Sequence, residues 1–197
     1  MRTLIVSNLI SLDGYASGPG GDVMALPFDT TFSDYNLELM QAADTLVSGA
    51  TTYRGFLNYW PSVADDPAQP EVERAISRRH RGLEHLVISD SLTAEETGPW
   101  RHNTTIVRRD EARDVIANAK AGEGGPLVAF GSLTTTNDLL AAGLIDELHI
   151  MVGAGVLTDG VPAFSVRPPG VMRLTTARQL GDSNIALLRY SLGSVRP

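Results

Sequence analysis

The stretch Thr45-Leu46-Val47-Ser48-Gly49-Ala50-Thr51-Thr52-Tyr53 changes character at its glycine. Thr45-Leu46-Val47 is a short apolar run suited to a strand buried on both faces, and Gly49 stops it. Thr51 to Tyr59 then reads as a helix that ends before Pro61. The same sequence of events returns at Leu127 to Phe130: an apolar strand, then Gly131-Ser132, then a helix from Leu133 to Ala142. Short apolar strands followed by glycine and a helix predict a mainly parallel sheet covered on both faces.

The rest of the chain extends this alternation. Leu4-Ile5-Val6 with Leu9-Ile10 reads as the first strand, closed by Asp13-Gly14, and residues 14–21 form a loop with four glycines and Pro19. A helix is expected from about Ser33, a plausible N-cap, through Gln41. After the proline-rich segment 61–70 come a polar helix at Glu71–Arg81, strands at His85–Ser89 and Thr104–Val107, a helix at Glu111–Lys120 and a strand at Glu147–Val152. The last two runs, Val171–Gln179 and Asn184–Leu192, flank Gly181-Asp182 and read as an antiparallel hairpin at one sheet edge. No linker or internal repeat interrupts residues 1–197, so a single domain is expected.

Composition removes whole classes of function. The 197 residues carry 23 acidic and 16 basic side chains, net −7, which argues against a partner rich in phosphate such as nucleic acid. No cysteine is present, so disulfides, thiolate metal sites and cysteine nucleophiles are excluded. His80, His85, His102 and His149 show no ligand spacing, and no metal is expected. No run approaches the ~18 apolar residues of a membrane helix, and the N-terminal apolar run is too brief for a signal peptide. The expectation is a cytoplasmic protein with a small-molecule substrate.

No G-x-S-x-G elbow, P-loop or H-E-x-x-H occurs. What the chain does carry is a set of Gly/Ser/Thr clusters just after strands: Gly49-Ala50-Thr51-Thr52, Ser89-Asp90-Ser91 and Gly131-Ser132-Leu133 with Thr134 to Thr136. The carboxyl ends of strands in an open parallel sheet line one crevice, where helix N-termini and close backbone approach suit a dinucleotide. Taken singly, each cluster is better read as an N-cap, and it is three at equivalent strand ends that favour the crevice. A fourth strand end, Ser11-Leu12-Asp13-Gly14-Tyr15, places Asp13 at the crevice mouth, where it would orient a substrate or relay a proton, or form a solvated Asp-Gly turn.

These residues also carry a resemblance. Ser11-Leu12-Asp13-Gly14, then Ala43-Asp44-Thr45-Leu46-Val47-Ser48-Gly49 with Thr52-Tyr53, resembles the dihydrofolate reductase-like superfamily. It is closer to the C-terminal reductase domain of the bifunctional riboflavin-biosynthesis protein and its stand-alone relatives. Trp60-Pro61, Val87-Ile88-Ser89, Trp100, Gly131-Ser132, Gly143 to Leu148 and Gly160 to Phe164 follow in order. The resemblance implies a three-layer α/β fold with a mostly parallel sheet of about eight strands and helices on both faces. It implies a nicotinamide cofactor, usually NADPH, and frequently a homodimer. It places Gly49 and Thr52 at the pyrophosphate, Ser89 and Ser91 near the adenosine, and Gly131, Ser132 and Leu133 at a second phosphate-binding helix.

The departures bear on cofactor and substrate. Ala50 and Asp90 stand where the family usually has cations for the NADPH 2′-phosphate, which makes NADH possible, while Arg108 and Arg109 at the next strand end could replace them. Leu26-Pro27-Phe28-Asp29 resembles the segment with the pterin-binding acid, which makes Asp29 a substrate-binding candidate; Tyr53 and Trp60 are candidates for its apolar wall or for core packing. The reaction expected from the resemblance is reduction of a small heterocyclic or ribosylamino-pyrimidine-like substrate, in the manner of a 5-amino-6-(5-phosphoribosylamino)uracil reductase or a dihydrofolate reductase. No basic cluster is dedicated to a ribose phosphate. The alternative is a non-catalytic nucleotide-binding or dimerisation module with a degenerate site.

Overall fold

In the computed structural model, which describes residues 1–193, the first strand, β1 (Leu4–Ile10), lies inside the sheet. Leu4 and Val6 enter one core and Ile5 and Leu9 the other, as the two-residue period of a strand requires. A run apolar on both faces can only be an interior strand, and this one is flanked on each side by a parallel neighbour.

The chain continues through β2 (Tyr15–Ser17), α1 (Thr30–Ala42), β3 (Thr45–Gly49), α2 (Ala50–Val63), α3 (Glu71–His80), β4 (Glu84–Ile88) and β5 (Thr104–Val107). It then forms α4 (Ala112–Ala121), β6 (Leu127–Phe130), α5 (Leu133–Ala141), β7 (Glu147–Val152), β8 (Val161–Pro162), β9 (Met172–Gln179) and β10 (Ala186–Leu192). Eight strands make the main sheet in the order β5-β4-β3-β6-β1-β7-β10-β9. The pairs from β5 to β7 are parallel, and β10 runs antiparallel to both β7 and β9. One core, with Ile116, Leu139 and Leu140, lies under α4 and α5; the other, with Leu39, Met40 and Ile76, lies under α1 and α3. The layers and the edge hairpin agree with the sequence expectation.

Three details differ. Helix α1 starts at Thr30, because Asp29 caps it by accepting the Phe32 N–H at 3.1 Å; Ser33 instead donates its hydroxyl to Glu73. Helix α2 passes through Pro61, whose missing N–H falls in the last turn and removes one bond near an end that frays anyway. The two-stranded β2–β8 sheet and a 3-10 segment at Ala94–Asn103 have no periodicity to announce them.

Candidate active site

The four clusters read from the sequence all lie at the carboxyl ends of parallel strands. Gly49 ends β3 and caps α2, and its backbone N–H donates to Ser132 Oγ at 2.6 Å. Gly131 and Ser132 follow β6 with φ of 61° and 56°, two consecutive left-handed residues. That conformation is cheap for glycine and strained for serine. It turns the chain straight into α5, where Thr136 fixes the bend by donating its N–H to the Ser132 carbonyl at 2.8 Å and its hydroxyl to the Gly131 carbonyl at 2.9 Å.

The N-termini of α2 and α5 are thus bonded side by side at the centre of the sheet edge. A side chain at Gly131 would meet no atom within 4 Å, so its backbone faces open space. The first N–H groups of a helix have no partner within it, and a dipole end of this kind suits anionic oxygens. One further residue belongs here that the sequence reading did not single out. Asn8, on β1, accepts the Gly131 N–H at 3.0 Å, while its own buried Nδ2 has no partner. Its signal was a lone amide at position 8 of a strand whose neighbours on that face are Leu4, Val6 and Ile10. Exposed glycine backbone, adjoining helix ends and an unpaired amide donor fit the pyrophosphate of a dinucleotide.

The next two strand ends form a second group. Ser89 Oγ accepts the N–H groups of Ser91 and Leu92 at 3.0 and 2.9 Å and closes its own turn. Asp90 Oδ1 accepts the Arg109 N–H at 3.1 Å, and its carboxylate lies 3.8 Å from Arg108 Nη2 and 3.7 Å from Arg109 Nε. Arg108 also meets Asp110, and Arg109 meets Asp138. Both guanidiniums are exposed and shared among carboxylates.

Asp13 sits at the end of β1, and three donors converge on it. Ser11 Oγ donates at 2.6 Å to Oδ1, the Leu157 N–H at 3.1 Å to Oδ1, and the Thr158 N–H at 2.8 Å to Oδ2. The Ser11 hydroxyl first, then the backbone N–H groups, lower its pKa to about 2. Thr158 is left-handed, with φ 61°, so the carboxylate holds a strained turn in the loop after β7. A carboxylate so bonded is ionised at neutral pH and has no proton to relay; the geometry fits a positioning role.

The model of the RibD C-terminal domain family matches residues 2–185. The chain belongs to the RibD C-terminal domain family. Membership makes it a nicotinamide-dependent reductase of a pyrimidine-like substrate. Among solved structures, a Shewanella sp. PV-4 protein assigned to riboflavin biosynthesis is 24% identical over 98% of this chain and 100% of its own, with a TM-score of 0.70. The Thermotoga maritima diaminohydroxyphosphoribosylaminopyrimidine deaminase/5-amino-6-(5-phosphoribosylamino)uracil reductase is 10% identical, TM-score 0.66, over 98% of this chain; the chain spans 57% of that protein. Enterococcus faecalis dihydrofolate reductase, in complex with NADP(H) and RAB-propyl, is 16% identical, TM-score 0.61, with 98% and 97% coverage. Among curated proteins none matches in sequence.

In this RibD-family chain, two of the expected substrate residues lie elsewhere. Tyr53 has no exposed surface: its hydroxyl bonds Thr104 Oγ1 at 2.7 Å, and its ring packs edge-on against His85 and Trp100. Trp60 is eleven residues beyond Gly49, about 16 Å along α2 at 1.5 Å per residue, and stacks on His80 with centroids 5.4 Å apart. Both are core residues, because α2 runs away from the crevice. The Asp29 carboxylate caps α1. Thr52, in the first turn of α2, is half-buried.

Proposed function

We propose that the chain, as one domain, transfers a hydride from NADPH to a C=O or C=N bond of a small pyrimidine-like heterocycle. The observation that carries this reading is the pair of helix N-termini joined through Gly49 and Ser132, beside an open Gly131. Gly49, Thr52, Gly131, Ser132 and Leu133 would hold the pyrophosphate, with the unpaired Asn8 amide behind them. Ser89 and Ser91 would lie toward the adenosine. Arg108 or Arg109 would meet a 2′-phosphate if it outcompetes Asp90; otherwise NADH is the better fit. The reduced nicotinamide would supply the hydride. The acceptor would sit one strand over, at the ends of β1 and β7, where Asp13 fixes the loop that forms its wall, and proximity would supply much of the rate.

A homodimer is the supported assembly. β9 is the outermost strand and leaves Met172 38%, Leu174 51% and the preceding Val171 80% exposed, an apolar edge that a second copy would cover. No described helix is long and apolar enough to cross a membrane; the location proposed is the cytoplasm. Fluorescence titration with NADPH and NADH tests the reading: binding of at least one in the micromolar range is expected. Binding of neither below millimolar would leave only a non-catalytic module.

A further inference from the structure

The wall around the β1 and β7 ends is built from two loops that act as one. Leu12 donates its N–H to the Gly155 carbonyl at 2.7 Å, Ala163 donates to the Gly14 carbonyl at 3.0 Å, and β2 pairs with β8. Pro27 lies flat on Gly153, where a Cβ would come within 2.3 Å of Pro27 Cγ. The rim exposes large apolar side chains on both loops: Leu12 69%, Met24 77%, Phe28 39% and Val156 60%.

The charge on this rim is of one sign. Residues 11–29 and 153–165 hold Asp13, Asp22, Asp29 and Asp159 and no Lys, Arg or His. Each carboxylate accepts a backbone N–H: Thr158 on Asp13, Met24 on Asp22 and Gly160 on Asp159 within the rim, and Phe32 of α1 on Asp29. Among the described residues none of the four is paired with a cation. The guanidiniums of neighbouring elements are engaged or remote. Arg54 pairs with Glu96 at 2.8 Å and Arg189 with Glu147 at 3.0 Å; Arg178, on β9 two strands beyond β7, donates to the Gln179 carbonyl at 3.3 Å, and Arg167 follows Val166, which packs away from the rim into the core under α4 and α5.

A phosphate or carboxylate is recognised by charge-assisted bonds from Arg or Lys, and an uncompensated set of like charges rejects it. We propose that the acceptor is a planar, pyrimidine-like heterocycle that carries no phosphate or carboxylate. The Leu12, Met24, Phe28 and Val156 rim grips it, and the four aspartates keep anions out. This rests on the reductase reading above and narrows its substrate class to unphosphorylated rings.

Collisional quenching of NADPH fluorescence on the loaded protein tests it without knowledge of the substrate. Iodide, neutral acrylamide and caesium are compared at constant ionic strength, with free NADPH as the reference. The expected result is an iodide-to-acrylamide quenching ratio at least about fivefold below that of free NADPH, with caesium not excluded. The double variant Met24→Arg and Val156→Arg, at two exposed positions, should raise iodide quenching severalfold. A wild-type ratio equal to that of free NADPH would overturn the proposal alone, as would a ratio the double variant leaves unmoved. Failure of NADPH to bind would instead remove the reductase reading and this proposal with it.

Discussion

Ser132 Oγ accepts the backbone N–H of Gly49 across 2.6 Å, so the turn that opens α5 is fastened to the turn that opens α2. The two helix ends are held at one spacing by this bond, which a single serine hydroxyl supplies.

Gly49→Ala is the sharpest probe of that spacing. The new Cβ would lie 2.6 Å from Thr135 Oγ1 and 3.2 Å from Ser132 Oγ, so the helix ends must part. Overpacking of this kind costs about 1–3 kcal/mol, and NADPH affinity should fall at least about tenfold. Ser132→Ala, which removes only the acceptor, should cost about 1 kcal/mol. Urea unfolding and cofactor titration check both; an unchanged Kd in Gly49→Ala would place the pyrophosphate elsewhere.

Asp90 sets the competition for Arg108 and Arg109. Asp90→Asn removes the charge that both guanidiniums share and keeps an acceptor for the Arg109 N–H. The ratio of NADPH to NADH affinity should rise about tenfold, the scale of a charge-assisted hydrogen bond, and the gain should shrink as salt is added. Arg108→Ala should lower the same ratio. A ratio untouched by either change would detach this corner from the 2′-phosphate.

Asp13→Asn should loosen the loop after β7 and leave cofactor affinity within about twofold, because no cofactor-side residue touches it. An amide replaces one acceptor oxygen with a donor, so either the Thr158 N–H or the Ser11–Leu157 side loses its partner. Hydrogen exchange at 157–160 should quicken at least about tenfold, with turnover falling in parallel. The folded pKa, about 2, lies below the ordinary 3.8. The ionised form therefore holds the loop above the ordinary value, and protection is lost only as pH falls toward 2. Wild-type exchange rates, corrected for intrinsic chemistry, should be flat from pH 5 to 8.

The buried imidazoles give the fold an acid limit. His80 and His85 stack on Trp100 at 4.9 and 4.6 Å, and each has a buried Nδ1 without a partner. Burial holds His80 well below the ordinary imidazole value and His85 below it too. Each takes up a proton less readily folded than unfolded, so this stability is full above the ordinary imidazole value of about 6.5 and is lost as pH falls below it. His80→Phe should flatten that slope in urea melts between pH 7 and 5. An unchanged slope would locate the acid sensitivity elsewhere.

The layer order was legible because interior parallel strands must be apolar on both faces, and Leu4–Ile10, Leu46-Val47 and Leu127–Phe130 have no other way to bury themselves. The glycine turns were legible for the related reason that each ends such a strand. Tyr53 and Trp60 were not, since an aromatic residue beside a motif looks the same in sequence whether its ring turns into the crevice or under the helix. Asp13 stood out, yet its bonding depends on Leu157 and Thr158, partners no local pattern connects to it. Asn8 is a single amide in an apolar strand and shows its purpose only once Gly131 is beside it.

The pairing of β2 with β8 has a consequence for anyone wishing to redirect this scaffold. Asp13 and Leu157 are separated by 144 residues yet share a bond, and Gly160 leaves no room for a side chain against the Ser17 carbonyl. A graft that exchanges one of these segments for that of a relative would therefore arrive without its counterpart. On the proposed reading, acceptor preference is a trait written in two distant places, and it should transfer between proteins only when both are moved together.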